Sequence, residues 1–175
     1  ANKTINISSS YIEQSENSNY KYFQFVDSGA LQRSDIYNSL KGTNSTCFLS
    51  GLTLLDDDQQ SATYITTDHI MPNCTSSQNF KSVLNNKSSG VFNGRTIVRE
   101  DSQKTNSKQS NKNLLLSDKA TMNSNPQLEI YADDVKCAHG STTGALDEEA
   151  LFYMQSRVLD RESASSILIR GFVIE

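Results

Sequence analysis

From Ala1 to about Cys137 the apolar residues alternate with polar ones or come in short runs, and no sustained helical face lies between them. Successive side chains on a strand point to opposite faces, so this period of two reads as strands. Thr4-Ile5-Asn6-Ile7-Ser8 alternates cleanly, and Tyr22-Phe23-Gln24-Phe25-Val26 stops at Asp27-Ser28-Gly29. Cys47-Phe48-Leu49 continues beyond Gly51 as Leu52-Thr53-Leu54, and Ala62-Thr63-Tyr64-Ile65 leads to Asp68-His69. Phe80 to Leu84, Val91-Phe92, Thr96-Ile97-Val98, Leu114-Leu115-Leu116 and Leu128-Glu129-Ile130-Tyr131 complete the series. A β-sandwich fits this periodicity almost as well as a parallel β-helix. Many short strands of similar length, joined by polar connections of uneven length, favour the irregular parallel β-helix.

Composition agrees with a solenoid. Only 35% of residues are hydrophobic and Trp is absent, while Asn, Ser and Thr abound. That bias suits disorder or stacked strands with polar turns and outer faces. The run from Ser102 to Asn113 is polar throughout. It reads either as a solvated loop or as a strand whose amide side chains form hydrogen-bonded ladders with neighbouring coils.

The last segment changes character. Asp147 can cap a helix that begins at Glu148, with Glu148 and Glu149 well placed in its first turn. Leu151, Met154 and Val158 follow at helical spacing. Asp160 can cap a second helix, with Ala164, Ile167, Leu168 and Phe172 along one face. Residues 1–145 are therefore expected to form the strand core and residues 146–175 a helical appendage.

Several function classes fall away early. A net charge of -4 without a Lys/Arg stripe argues against a nucleic-acid partner. No apolar run is long enough to span a membrane. Cys47, Cys74 and Cys137 are an odd, sparse set, which suits reduced thiols in the cytoplasm or an organelle stroma better than a disulfide scaffold. Asn-x-Ser/Thr sequons at Asn6, Asn44, Asn73 and Asn86 are expected by chance in so polar a chain. There is no Gly-x-x-x-x-Gly-Lys-Ser/Thr loop, so ATP hydrolysis would have to come from another chain.

Cys137 and His139 form the sharpest chemical pair. Two residues apart on a strand, a thiolate and an imidazole share one face and could share one metal or cluster. The plain alternative is a small buried Cys beside an ordinary polar His. His69 and Cys74, separated by a stretch containing Pro72, make a looser pair that reads more readily as a turn than as ligands. Asp133 and Asp134, adjacent on a strand, face opposite ways and are poorly placed to act as acid and base. Asp56-Asp57-Asp58 reads as a solvated turn.

The run Asn125-Pro126-Gln127-Leu128-Glu129-Ile130-Tyr131-Ala132-Asp133-Asp134-Val135-Lys136-Cys137-Ala138-His139-Gly140 carries a family resemblance, and Leu146-Asp147-Glu148-Glu149-Ala150-Leu151-Phe152-Tyr153 extends it. Gly90-Val91-Phe92-Asn93-Gly94, Gln103-Lys104-Thr105-Asn106 and Gln109-Ser110-Asn111-Lys112-Asn113 belong to the same pattern. Together they resemble the SufB/SufD family of the SUF iron–sulfur cluster assembly machinery, almost continuously from Leu31 to Gly171. Lys136-Cys137-Ala138-His139-Gly140 stands where SufB-like chains carry a Glu-His-Glu style motif, which favours the SufD branch.

The resemblance implies a right-handed parallel β-helix followed by two short C-terminal helices, in a scaffold that is not itself an enzyme. It implies pairing with a SufB-like paralogue, or homodimerisation when alone, through the region of Cys137 and His139. An iron–sulfur cluster or iron would be held there only transiently, with the paralogue supplying further ligands. It also implies a SufC ATPase partner. The apolar stripes of the C-terminal helices, with Leu151, Met154, Ile167, Leu168 and Phe172, are expected to dock it, the plain alternative being that both helices cap the open end of the β-helix. Location would be cytoplasmic, or stromal in a plastid. Family members normally begin with a helical region and earlier coils, so a fragment or shortened relative is expected. Val158 stands where the family usually has Gly, and a different helix junction is expected from it. The competing class is an extracellular β-helix, either a polysaccharide lyase or an adhesin.

Overall fold

A computed structural model describes residues 3–174. Ala1, Asn2 and Glu175, at the ends of the two expected segments, lie outside the described residues. Ten strands precede two helices: β1 (Ile5–Gln14), β2 (Asn19–Val26), β3 (Leu31–Leu40), β4 (Thr46–Leu55), β5 (Gln60–His69), β6 (Thr75–Leu84), β7 (Ser89–Val98), β8 (Asn106–Leu115), β9 (Thr121–Ile130), β10 (Lys136–Ala145), α1 (Glu148–Gln155) and α2 (Arg161–Ile174).

The odd strands form one sheet in the order β1-β3-β5-β7-β9, and the even strands form a second, β2-β4-β6-β8-β10. Every neighbouring pair is parallel. Ile5 pairs with Leu31, Leu31 with Gln60, Gln60 with Ser89 and Ser89 with Thr121, so one coil takes roughly 30 residues. Each coil gives one strand to each sheet. This is a parallel β-helix, and an antiparallel sandwich is excluded.

The turns explain the Asn content. Asn17, Asn44, Asp57, Asn73, Asn86 and Lys104 all have positive φ, between 52° and 61°. Asn and Asp tolerate this left-handed region best among residues with a side chain. The sequons at Asn44, Asn73 and Asn86 thus mark turns that need that conformation. Stacked turns bond to one another: the Asn17 N–H donates to Thr43 O at 2.9 Å, and the Asn73 N–H to Gln103 O at 2.9 Å. Just past the left-handed residue, a hydroxyl closes the turn. Ser45 Oγ donates to Gly42 O at 2.9 Å and Thr105 Oγ1 to Ser102 O at 2.8 Å.

The lumen changes along its length. Ile36, Leu40, Leu49, Ile65, Phe80 and Phe92 form an apolar cluster, with the Phe80 and Phe92 rings 5.5 Å apart. Farther along, Gln78, Gln109, Asn111 and Asn113 are each at least 97% buried. The polar run is therefore β8, and its amide side chains do form a ladder: Gln109 Nε2 donates to Gln78 Oε1 at 2.7 Å.

Asp147 and Asp160 cap the two helices as their positions suggest. Asp147 Oδ1 accepts from the Glu149 N–H at 2.9 Å, and Asp160 Oδ1 from the Ser163 N–H at 2.7 Å. The junction corrects the expectation for Val158. Its φ is 73°, so it takes the left-handed conformation that a Gly would take, at the cost of crowding its β-branched side chain. It is also 97% exposed and does not pack on the last coil.

Candidate metal site

β10 ends its sheet. It pairs with β8 on one side, and no described strand lies on the other. Two inward columns of the even sheet run out to it. The first stacks Cys47, Ser76, Ser107 and Cys137, and the second Leu49, Gln78, Gln109 and His139. All the earlier members are buried, because a further coil covers them. At β10 that cover stops, leaving Cys137 half-buried and His139 exposed. A thiol and an imidazole thus sit side by side where the lumen opens. Partial burial raises the Cys137 pKa, opposed by a hydrogen bond from the Ser107 backbone. A metal binding there would have to displace the thiol proton.

Two ligands do not close a site. Among the described residues, no group of three or more His, Cys, Asp or Glu side chains is arranged to hold a metal ion. Iron–sulfur clusters commonly take about four protein ligands. The remainder would have to come from another surface placed against this end.

His69 and Cys74 are engaged separately within the fold. His69 is 0% exposed, and its Nε2 lies 2.8 Å from Ser76 Oγ, which in turn lies 2.9 Å from Ser107 Oγ. Burial lowers its pKa to about 4, against a smaller opposing effect of Asp68. Cys74 is also 0% exposed; its Sγ lies 3.1 Å from Ser45 Oγ and donates to Gly42 O at 3.3 Å. It occupies the turn-closing position that Ser45 and Thr105 fill in neighbouring coils. The two acidic runs are turns. Asp134 bonds through its N–H to Gln103 Oε1 at 2.9 Å, and Asp56 Oδ1 accepts from the Asp57 N–H at 2.8 Å.

The helices divide the expected docking residues. Leu151 is 0% exposed, so it serves the interior and cannot offer contact surface; Met154 is half-buried. Ile167 is 47% exposed, whereas Leu168 and Phe172 are half-buried. The end of α2 leans on the outer face of the even sheet, where Lys81 Nζ donates to Phe172 O at 2.8 Å and sits 5.5 Å from the Phe172 ring centre. The large apolar side chains most open to solvent here are Phe152, Tyr153, Val158 and Ile174. Of these, helical spacing had singled out Val158 alone, as a member of the stripe with Leu151 and Met154; Phe152, Tyr153 and Ile174 lie off the stripes that were read.

Residues 1–172 match the family described as SUF system FeS cluster assembly, SufBD core domain. The chain belongs to the SufBD family. Its relatives within that family include the iron-sulfur cluster assembly protein SufD of Escherichia coli, 36% identical over 86% of this chain and 36% of that protein. The SufBD family protein slr0076 of Synechocystis is 32% identical over 98% of this chain and 38% of its own length. The chloroplastic protein ABCI7 of Arabidopsis thaliana is 33% identical over 93% and 34%. The chain spans little more than a third of each of these SufBD relatives. Among the described residues, no helix is long and apolar enough to cross a membrane.

Proposed function

We propose that this chain is a non-enzymatic scaffold segment for iron–sulfur cluster assembly, working at a surface shared with a SufB-like paralogue. The observation that carries this is the position of Cys137 and His139. They share the inward face of the terminal strand, where the columns beneath them are buried and they are not. Soft thiolate and borderline imidazole suit iron and cluster chemistry. The nascent cluster is cargo, held transiently between this end and ligands of the paralogue. Among the described residues no third ligand stands beside the pair, so closing a site would take ligands from another surface.

The C-terminal helices are the docking element for the SufC ATPase, with Ile167 and the edges of Leu168 and Phe172 joined by Phe152 and Tyr153 as accessible apolar surface. Helix faces of this kind seat in a partner's groove. The names of the relatives, bacterial SufD proteins and a chloroplastic protein, support a cytoplasmic or plastid setting. No observation favours the extracellular alternative. Co-expression with SufB-type and SufC-type partners tests the reading. A ternary complex that purifies together is the expected result, and a chain that purifies alone but binds glycans would overturn it.

A further inference from the structure

A ladder of buried amides leads to His139 and stops one hydrogen bond short of it. The ladder starts on the opposite sheet, where Gln78 Nε2 donates to Thr67 Oγ1 at 3.0 Å and to Thr96 Oγ1 at 3.2 Å. Gln78 Oε1 then accepts from Gln109 Nε2 at 2.7 Å. The Gln78 carbonyl is thus filled by the amide of the next coil. Gln109 Oε1 has no next amide: it is buried and has no hydrogen-bond partner, in a residue only 2% exposed.

Native folds rarely leave a buried carbonyl of this kind unfilled. The residue in register with Gln109 on the next coil is His139, one strand spacing of about 4.8 Å away. Its neighbours Ala138 and Gly140 have no side-chain donor, and Ser141 Oγ is already 2.7 Å from Ser124 Oγ. The amide is also held from across the lumen. A Cβ added at Gly94 would lie 2.1 Å from Gln109 Nε2, so the absent side chain at Gly94 is what makes room for it.

We propose that Gln109 is a positioning residue for His139, its side-chain carbonyl accepting one imidazole N–H and leaving the other ring nitrogen, unprotonated, facing outward as the metal-binding atom. This deepens the scaffold reading and rests on it for the role of His139. A neutral imidazole has one donor and one acceptor nitrogen, and the partner of the donor decides which is which. Metal-bound histidines commonly donate their second N–H to a carbonyl or carboxylate in this way.

The chain has two histidines, so nitrogen-15 spectra of the imidazoles in the metal-free chain can be assigned to His69 and His139. The expected result is a single tautomer for His139 in the native sequence and a mixture in Gln109→Leu. Because that change strips the donor from buried Gln78 Oε1, the double variant Gln78→Leu/Gln109→Leu is measured beside it, and it should show the same mixture. A tautomer mixture in the native chain, or a single tautomer that survives in a folded variant, overturns the proposal. The second arm is iron loading of the complex with SufB-type and SufC-type partners, which Gln109→Leu should lower roughly tenfold. If Gln109→Leu frees the tautomer while His139→Ala leaves iron loading intact, the hydrogen bond stands and the ligand role of His139 falls.

Discussion

His139 stands in register with Gln109 just as Cys137 stands in register with Ser107, so two exposed or half-exposed groups on β10 continue two buried polar columns. Their side chains therefore add little to the core, and trimming them opens no enclosed cavity. Cys137→Ala should change stability by no more than about 0.5 kcal/mol. In thermal melts that is a shift of about 2 °C or less for a chain of this size. A loss of several degrees would mark Cys137 as structural.

His69 gives the fold a specific acid sensitivity. Its pKa falls from an ordinary 6.5 to about 4 because burial disfavours the imidazolium. Between those values the unfolded chain binds a proton that the folded chain does not. The contribution of neutral His69 is complete above pH 6.5 and is lost as pH falls toward 4, in total about 3 kcal/mol. Its column neighbours are Leu40 and Val98, so His69→Leu suits the site sterically. Denaturant melts from pH 7 to 4 should show a shallower loss of stability in His69→Leu than in the native chain. Parallel curves would show that His69 titrates normally.

Val158 holds a left-handed backbone that β-branched residues adopt at a cost of about 1–2 kcal/mol. Because its side chain is 97% exposed, removing it forfeits no packing. Val158→Gly should raise stability by about 1 kcal/mol after allowing for the greater freedom of Gly in the unfolded chain. An unchanged or lower melting temperature would refute the strained junction.

Lys81 ties the helical segment to the solenoid. Lys81 is 8% exposed, and its ammonium donates to the Phe172 carbonyl at the end of α2. Lys81→Met keeps the stem but removes the donor, and should cost about 2 kcal/mol. Hydrogen exchange should quicken in the last turn of α2 while β4 and β6 stay protected. Equal protection of α2 in both proteins would show that the contact is not what fixes it.

Much of the fold was legible, and the gaps have one physical origin. Strands whose inward residues are apolar stood out, such as Ile65 in β5 and Phe80 in β6. β3 did not, because it faces the lumen with Ser34 and Asn38 as well as Ile36 and Leu40. β7 was read as two pieces, because Gly94 interrupts its pattern. The amide ladder was one of two open readings of the polar run, and only its register with β6 distinguishes the two. At the site, spacing alone put Cys137 and His139 on one face. The contribution of Gln109 was not legible, because its partner lies 30 residues away and meets it only through the coil repeat. Cys74 looked like half of a ligand pair because its turn-closing role appears only when Ser45 and Thr105 are stacked around it.

The most direct test of the account is the iron content of the complex formed with SufB-type and SufC-type partners, comparing the native chain with Cys137→Ala and His139→Ala. The account predicts that both variants fold and assemble, yet carry at least about tenfold less iron per complex, because each removes a ligand from a shared site. Normal iron content in both assembled variants would contradict it.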